Sequence, residues 1–433
     1  MASLWSETTT QNPRPTLEGD KTTDVLIVGG GMCGILTAHL LQEAGVSCIV
    51  VEARQVGGGV TKNTTAKITA QHGLIYADLI ARRGVELARQ YYEANTRAIR
   101  RYRALSERFP CDFEEKTAHI YSTVQRHKLD REAEAYQKLG LPAKIVEASP
   151  LPLSTVGALA LEGQAQFHPL KLLYALADGL EVYENTLVRN LKKRTAHMAG
   201  GNKITARHIV LATHYPLVNI PGLYFLKLYQ HRSYVLALKN APLVDGMYLD
   251  EREAGLSFRT HGERLLVGGG DHKTGKQGGS YAELEAFAAR AYPNAKTEYR
   301  WATQDCMSLD NVPYIGRHRL GAEHLYLATG FNKWGMTGSM VAAELITDLI
   351  LHGKSEGAAL FNPRRSIFSW QLARNLGAAL TGLLSLGGPR CTHMGCKLHW
   401  NPSEHSWDCA CHGSRFEADG NILNNPAKWR LKR

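Results

Sequence analysis

The sequence lacks several features that define whole classes of protein. No stretch approaches the roughly 20 consecutive apolar residues of a membrane-spanning helix, and the polar first 24 residues lack the apolar segment of a secretory signal. Eight cysteines in 433 residues are too few for a disulfide scaffold. No basic stripe with interleaved aromatic residues predicts nucleic-acid binding. We therefore expect a cytoplasmic protein that has no transmembrane segment and is held together by a packed core.

What the chain does contain is typical of a globular protein. Hydrophobic residues make up 44% and charged residues 21%, and the length predicts two or three domains. Lys and Arg number 51 against 40 Asp and Glu, which gives a formal net charge of +11. This excess is compatible with an acidic partner, an anionic cofactor or a membrane surface, and equally with a solvated surface that has no such role.

The clearest motif lies near the amino terminus. An apolar strand is predicted from Asp24, followed by a turn, a helix over 35–44 and a second strand over 47–52. The glycines of the turn follow the pattern GxGxxG: Gly29, Gly31 and Gly34. They permit a tight turn, backbone approach to a pyrophosphate and close helix packing, respectively. Glu52, at the end of the second strand, is placed to accept hydrogen bonds from a ribose diol.

This unit predicts a site for an adenine dinucleotide. Glu52 disfavours NADP, because its carboxylate would repel a 2′-phosphate. The other glycine run, 268–270, lacks the third glycine of the pattern and is interpreted as a strand end with close backbone packing. A reductase that carries both FAD and NAD(P)H usually needs two dinucleotide units. The single unit therefore indicates FAD that is reduced directly by an organic substrate.

Three further segments make the chain resemble the D-amino-acid oxidase superfamily of flavoproteins, which includes glycine oxidase and sarcosine oxidase. They are a glycine-rich loop at 57–67, a strand at 204–213 and a closing strand–turn–helix at 325–337. With the first motif, the resemblance spans about residues 20–350. It implies that these residues contact the cofactor: Thr61, Thr64, Ala66, Ala212, Thr213, Gly330, Trp334, Gly335 and Met336. Lys333 and Trp334 stand where many members have Gly-His, so side-chain roles there do not transfer.

The resemblance also implies an antiparallel sheet over the flavin that supplies the substrate contacts. Arg259 is the candidate cation for a substrate carboxylate, and His231, Tyr234 and Lys333 are further candidates for the catalytic site. For each of them, a surface charge or a satisfied polar group is the alternative. The implied substrate is an amine or an amino acid, with a 2-hydroxy acid as another option.

The last 45 residues contain a metal-binding pattern. Its candidate ligands are spaced C-x-H and C-x-x-H: Cys391, His393, Cys409 and His412. Zinc also accepts two Cys and two His. However, this order resembles Rieske proteins, in which one iron of a [2Fe–2S] cluster takes two thiolates and the other takes two imidazoles. The resemblance further implies a disulfide between Cys396 and Cys411 and a Ser414 hydroxyl bonded to a cluster sulfur. We also expect His393 and His412 to face the electron acceptor.

These motifs predict an α/β fold. We expect a Rossmann-like parallel sheet that binds FAD, an antiparallel substrate-domain sheet and a small all-β Rieske domain at the carboxyl terminus. The expected boundaries are 1–363 for the FAD-dependent oxidoreductase domain, 364–388 for a linker with a helix over 371–386, and 389–433 for the Rieske domain. The apolar run 376–386 is too short to span a membrane, and we expect it to dock the two domains together.

The two cofactors together predict a dehydrogenase. A flavin accepts two electrons at once and a [2Fe–2S] cluster accepts one at a time. The chain is therefore expected to oxidise an amine or amino-acid-like substrate and to pass electrons singly to an external acceptor, either a protein or a quinone. The alternative is an electron carrier or redox sensor that is reduced by a partner protein and turns over no small substrate.

Overall fold

The fold is that of a computed structural model, which describes residues 2–147, 149–219, 222–318, 322–366 and 369–431. The helices are α1 (Leu4–Glu7), α2 (Met32–Glu43), α3 (Ile75–Arg83), α4 (Val85–Arg108), α5 (Arg126–Leu139), α6 (Pro169–Asp178), α7 (Tyr224–Lys227), α8 (Tyr281–Ala291), α9 (Gly335–His352), α10 (Ala358–Phe361) and α11 (Trp370–Leu384). Within these ranges, no helix combines the length and apolar character needed to cross a bilayer.

The strands fall into three sheets. They are β1 (Lys21–Val28), β2 (Cys48–Val51), β3 (Lys67–Ile68), β4 (Glu114–Ser122), β5 (Lys144–Val146), β6 (Gly157–Gln166), β7 (Val182–Tyr183), β8 (Val188–Lys192), β9 (Thr195–Met198), β10 (Lys203–Leu211), β11 (Leu228–Lys239), β12 (Met247–Asp250), β13 (Ser257–His261), β14 (Arg264–Lys273), β15 (Lys296–Ser308), β16 (Tyr314–Arg317), β17 (Leu325–Thr329), β18 (Leu398–Asn401), β19 (Ser406–Cys409), β20 (Arg415–Glu417) and β21 (Ile422–Asn424).

The first sheet confirms the predicted parallel layer. Its order is β16-β17-β10-β1-β2-β7, and β1 pairs in parallel with both β10 and β2. The last residues of β1 and β10 are buried on both faces, which explains the apolar runs at 25–28 and 209–211. Helix α2 begins at Met32, three residues before the predicted start, because Gly31 already serves as its N-cap. The carboxyl ends of these strands meet at one edge, where open α/β sheets bind ligands.

The second sheet is the predicted substrate-domain layer. Its order is β15-β11-β14-β13-β12-β4-β6-β3, and its long central strands are antiparallel. The glycine run 268–270 lies within β14, and a Cβ added at Gly268 would lie only 2.7 Å from Oγ of Ser257. The run therefore allows neighbouring strands to approach closely.

The third sheet, β18-β19-β20-β21, is entirely antiparallel and forms the small carboxy-terminal unit. Its core contains the cysteines of the metal-binding pattern together with Leu398 and Phe416. The expected domain boundaries stay a prediction. Residues 367–368 of the expected linker and 432–433 of the expected Rieske domain lie outside the described residues.

The connecting helix α11 differs from the expectation. It ends at Leu384, and the leucine side chains of the run 376–386 are exposed to solvent instead of buried between domains. The leucines of the run therefore do not dock the two domains together, but the helix does contact both parts, because Ala378 lies against Cys411 and Asn375 donates to the carbonyl of Leu226. The helix packs through its small and polar residues instead, among which Asn375 is buried.

Candidate active site and cluster centre

The glycine-rich turn after β1 has no room for side chains. Gly29 has a φ of +116°, and a Cβ added there would lie 2.4 Å from the carbonyl oxygen of Ala212. A Cβ added at Gly34 would lie 1.9 Å from the carbonyl oxygen of Gly29. These contacts place the end of β1, the end of β10 and the first turn of α2 in direct apposition, as a dinucleotide turn requires.

The start of α2 is suited to a pyrophosphate. Gly31 caps the helix without a side-chain hydrogen bond, and the main-chain N–H of Met32 donates to Thr61 Oγ1 at 3.1 Å. Helix amino termini attract anions through their N–H groups and dipole. Glu52 accepts hydrogen bonds from the N–H groups of Gly30 at 2.8 Å and Arg54 at 3.0 Å. Burial raises the pKa of Glu52, and those two N–H donors oppose the rise.

The other predicted cofactor residues lie along the same edge. In the loop after β2, the Ala66 N–H donates to Thr64 Oγ1 at 2.9 Å, and Ala66 has a positive φ of 55°. The loop thus bends sharply, and it is followed directly by β3. Ala212 and Thr213 follow β10, beside the glycine turn.

The closing turn before α9 completes this edge. Gly330 has a φ of +70°, and the indole of Trp334 stacks on the imidazole of His72 with ring centroids 4.7 Å apart. The Tyr102 hydroxyl donates to the carbonyl of Met336 at 2.8 Å and anchors the first turn of α9 after Gly335. The glycine turn after β1, the amino terminus of α2 without a side-chain cap, and Glu52 at the end of β2 together fit FAD. The contacts assigned to single residues here stay predictions.

Arg259 supports the cofactor loop. Its Nη1 donates to the carbonyls of Thr65 and Ala66, each at 2.8 Å, and its guanidinium lies 5.4 Å from the ring of Trp5. Nε and Nη2 are buried and have no hydrogen-bond partner among the residues that the structure describes. Burial lowers the pKa of Arg259 to about 9. That Arg259 faces a substrate carboxylate stays a prediction.

A compact polar cluster, the β11–β14 cluster, joins two of the predicted catalytic residues. His231 Nδ1 lies 3.1 Å from Asp271 Oδ1 and 3.1 Å from Glu253 Oε1. Lys333, on the turn before α9, forms an ion pair with Asp271. Asp305 lies directly opposite His231 in the register of β15 and β11. Two carboxylates, an imidazole and an ammonium group are therefore in contact in this cluster, and Asp305 occupies the strand position opposite His231.

Burial shifts the pKa values of Lys333 and Asp305 toward neutral pH. It lowers the pKa of Lys333 to about 8, against the attraction of Glu253. It also lowers the pKa of His231, so the imidazole is held neutral. For Asp305, burial raises the pKa to about 7, and Arg232 opposes the rise. Groups that titrate near neutrality are suited to proton transfer.

Sequence reasoning missed Glu253 and Asp271, the two carboxylates that contact His231, and grouped Tyr234 with this cluster. Asp271 directly follows the glycine run 268–270, which was a usable signal, whereas Glu253 lies in a loop without one. Tyr234 is buried away from His231, with its ring 4.8 Å from that of Tyr281. It extends instead toward the third sheet, where Asn401 bonds its hydroxyl.

The four candidate metal ligands converge on two loops of the third sheet. In one loop the Cys391 N–H donates to the Cys396 carbonyl at 2.8 Å, and in the other the Cys409 N–H donates to the Ser414 carbonyl at 2.9 Å. The rings of His393 and His412 lie 4.9 Å apart, and within the described ranges their buried Nδ1 atoms have no hydrogen-bond partner. Two imidazole nitrogens left open beside two thiols fit a Rieske cluster.

The remaining cysteines lie beside the ligands. Cys396, Cys409 and Cys411 place their sulfurs within 4.8 Å of one another, and the structure has all of them as free cysteines. The disulfide between Cys396 and Cys411 stays a prediction. Ser414 is fully buried, and its Oγ accepts a hydrogen bond from the Ala427 N–H at 3.1 Å.

The histidine side of the cluster centre faces inward, contrary to the expectation that it faces an external acceptor. Asn219 Nδ2 lies 3.2 Å from His393 Nε2, and His412 is only 2% exposed. Gln230 and Gln304 donate to the main-chain carbonyls of His412 at 3.1 Å and of Gly413 at 2.8 Å. Both ligand histidines are therefore held against the flavin-binding part of the chain.

Two further contacts fix this arrangement. The loop before the carboxyl terminus places Asn425 Nδ2 2.6 Å from the carbonyl of Thr213, so the cluster unit touches the strand end that borders the cofactor site. Arg232 of β11 forms a two-pronged ion pair with Glu404, which also bonds Arg415 at 3.0 Å. All three charged groups are largely buried. The predicted iron–sulfur site therefore lies next to the edge of the first sheet at which FAD is expected to bind.

The comparisons with known proteins agree with this geometry. Residues 24–349 match the family model described as FAD dependent oxidoreductase. The chain belongs to this family. Residues 382–433 match the model of the Rieske [2Fe-2S] domain. This protein is therefore an oxidoreductase that binds FAD and a [2Fe–2S] cluster, as predicted.

Three known proteins illustrate the relationship. The Bacillus subtilis protein named "Putative Rieske 2Fe-2S iron-sulfur protein YhfW" is 35% identical over 99% of this chain and 97% of its own length. Gamma-glutamylputrescine oxidoreductase of Escherichia coli is 24% identical over 79% of this chain and 87% of its own. The structure of glycine oxidase from Geobacillus kaustophilus aligns with a TM-score of 0.67 at 22% identity, covering 80% of this chain and all of that one.

Proposed function

We propose that the protein is a dehydrogenase that oxidises an amine or amino-acid-like substrate and transfers the electrons within the chain to its Rieske cluster, and from there to an external acceptor. The observation that carries the proposal is the packing of both histidines against the flavin-binding part: His412 is buried, and the half-buried His393 lies against Asn219. This packing favours FAD of the same chain as the electron donor, with the electrons entering the Rieske cluster on the side of its two histidines. FAD accepts two electrons from a substrate C–H bond, and the cluster accepts electrons one at a time.

The β11–β14 cluster supports an amine as the substrate. Amines are protonated near neutral pH, and the carboxylates of Glu253, Asp271 and Asp305 suit a cationic group better than an anionic one. Amine oxidation requires the neutral amine, so a base must take up the ammonium proton. Asp305, with its pKa near neutrality, is our candidate for that base. The name of the Escherichia coli relative, which refers to an amine derivative, is consistent with this assignment.

Mixing under argon tests the proposal. The oxidised protein is combined with a panel of amines, amino acids and 2-hydroxy acids, and flavin absorbance and the electron paramagnetic resonance signal of the reduced cluster are followed together. We expect an amine to bleach the flavin and the cluster signal to follow. If no compound bleaches the flavin while reduced ferredoxin does, the protein is an electron carrier or redox sensor and the proposal is wrong.

A further inference from the structure

Helix α11 packs on the cluster unit through an unusual face. Gln371, Asn375, Ala378 and Gly382 recur at helical spacing and point inward. Asn375 Nδ2 donates to the carbonyl of Leu226 at 3.2 Å, and the Cys411 thiol lies 3.7 Å from the carbonyl of Ala378. A Cβ added at Gly382 would lie 2.5 Å from Cys411 Sγ. The polar and small side of the helix is therefore the buried side.

The opposite side of α11 is apolar and open to solvent. Its residues recur at i, i+4, i+7 and i+8, and we call them the leucine face: Leu376, Leu380, Leu383 and Leu384. They are 41%, 58%, 46% and 76% exposed. Trp370 at 77% and Leu386 at 88% extend the same surface at both ends of the helix. A contiguous exposed patch of this kind marks an interaction surface.

The charge of the surrounding segment indicates which kind of partner covers the leucine face. Residues 357–403, which include α11 and the first cluster loop, contain no Asp or Glu. Arg364, Arg374 and Arg390 within it are exposed. A second copy of the chain would bring the same cations against these. A helix that exposes a row of leucines and carries Arg374, in a segment without carboxylates, has the chemistry that an anionic lipid surface attracts.

We propose that the leucine face docks this protein onto an anionic membrane surface. The helix lies in the plane of the headgroups, because its 15 residues are too few to cross a bilayer. Its inner face touches Cys411, so docking holds the cluster about one helix diameter, roughly 10 Å, from the lipid. This inference concerns the outward side of the cluster unit and does not depend on the substrate proposed above.

Sedimentation with vesicles tests the proposal. The full chain with both cofactors is mixed with vesicles of equal parts phosphatidylglycerol and phosphatidylcholine, or of phosphatidylcholine alone. We expect binding to the anionic vesicles that is at least about tenfold tighter than to the neutral ones, given roughly 1 kcal/mol per cation near the surface. The double variant Leu380→Gln with Leu384→Gln is expected to lose at least about tenfold in binding, because each leucine contributes apolar burial.

The matched control is Leu243→Gln, which changes a leucine of similar exposure, 52%, outside α11. It should bind like the wild type, and all variants should keep the visible spectrum of the cluster. The proposal is overturned if the wild type binds neither vesicle, if the double variant binds as tightly as the wild type, or if Leu243→Gln weakens binding equally. A dimer in solution that dissociates in the double variant, without vesicle binding, would instead assign the leucine face to a second copy.

Discussion

Gly34 is the residue at which a single methyl group has the largest predicted effect. Its Cβ would lie 1.9 Å from the main-chain oxygen of Gly29, so Gly34→Ala must displace the turn that is predicted to receive the pyrophosphate. We expect the variant to be purified with little FAD, as measured by the ratio of flavin absorbance to protein. Gly200→Ala is the control, because a Cβ there meets nothing within 4 Å. Equal flavin content in both variants would contradict the prediction.

His412 tests the assignment of the cluster ligands. In His412→Cys a thiolate replaces a neutral imidazole, and the added negative charge should lower the reduction potential of a cluster that still holds iron. A redox titration followed by electron paramagnetic resonance measures the shift. The exposed His399→Cys serves as the control and should leave the potential unchanged. An unchanged spectrum and potential in His412→Cys would remove His412 from the ligand set.

Lys333 is predicted to give the substrate reaction a pH dependence. Burial lowers its pKa to about 8, so the ammonium group is charged below that pH and its ion pair with Asp271 is lost above it. We expect the rate of flavin reduction by substrate to fall as the pH rises through about 8. Lys333→Arg, which stays charged, should move this fall to higher pH. The role of Lys333 is refuted if the two enzymes lose activity at the same pH.

Individual residues differ in how far the sequence predicts them. The glycines and the cluster ligands are predictable because their spacing reflects a covalent or steric requirement of the bound group. Glu253 and Asn219 are not, because they reach their partners from loops that only the tertiary fold brings close. No sequence pattern predicts the contacts of Glu253 with His231 at 3.1 Å and of Asn219 with His393 at 3.2 Å.

At the scale of elements, strands β11 and β15 hold the second cluster loop against the flavin-binding part. Gln304 of β15 donates both to Gln230 Oε1 and to the Gly413 carbonyl. Gln304→Leu removes both hydrogen bonds, so the second cluster loop should be held less firmly and cluster reduction by the flavin should be slower than in the wild type. Rapid mixing under argon measures both steps, and flavin reduction by substrate should stay unchanged. Gln42→Leu, on the exposed side of α2, is the control.

Helix α11 shows the limit of prediction at this scale. Its apolar run predicts a helix, and the structure has one at Trp370–Leu384. The run also predicts that the leucines are buried, since apolar residues usually face a core. Here Gly382 must approach the cysteine loops too closely for a large side chain, so the small residues take the inner side. The sequence pattern therefore predicts the helix α11 but not which side of it is buried.

At the scale of the whole molecule, the Arg232–Glu404 ion pair joins the two cofactor-binding parts. Glu404→Gln leaves Arg232, whose side chain is 5% exposed, without its main counter-charge. Loss of one partner of a buried pair costs about 3–5 kcal/mol. We expect a decrease of that size in the free energy of unfolding, measured with urea by the visible absorbance of the cluster.

The control and the pH dependence of this pair follow from the same contacts. Glu298→Gln breaks a similar two-pronged pair with Arg264 at the surface and should cost less than about 1 kcal/mol. Although burial opposes it, Arg232 and Arg415 hold the pKa of Glu404 below its usual range. Its contribution is therefore present above the carboxyl's ordinary pKa and is lost as the pH falls. Equal losses in Glu404→Gln and Glu298→Gln would show that the buried pair does not stabilise the molecule.

The overall architecture was predictable from the sequence, whereas the relative orientation of its parts was not. Motifs with fixed spacing specify the parallel sheet and the small β unit. Nothing in those motifs indicates that His412 would be 2% exposed and directed at the flavin-binding part. Orientation depends on contacts such as Asn425 with Thr213, between residues far apart in the sequence.

Helix α1 has a practical consequence for producing the protein. The polar first 24 residues resemble a disposable leader, yet Trp5 is fully buried, and its indole N–H donates to the Thr64 carbonyl at 2.7 Å. Removal of this segment to improve crystallisation would leave a cavity beside the glycine-rich loop 57–67 and expose Arg259. An expression tag is therefore better kept apart from α1 by a flexible spacer, with the first residues left untouched.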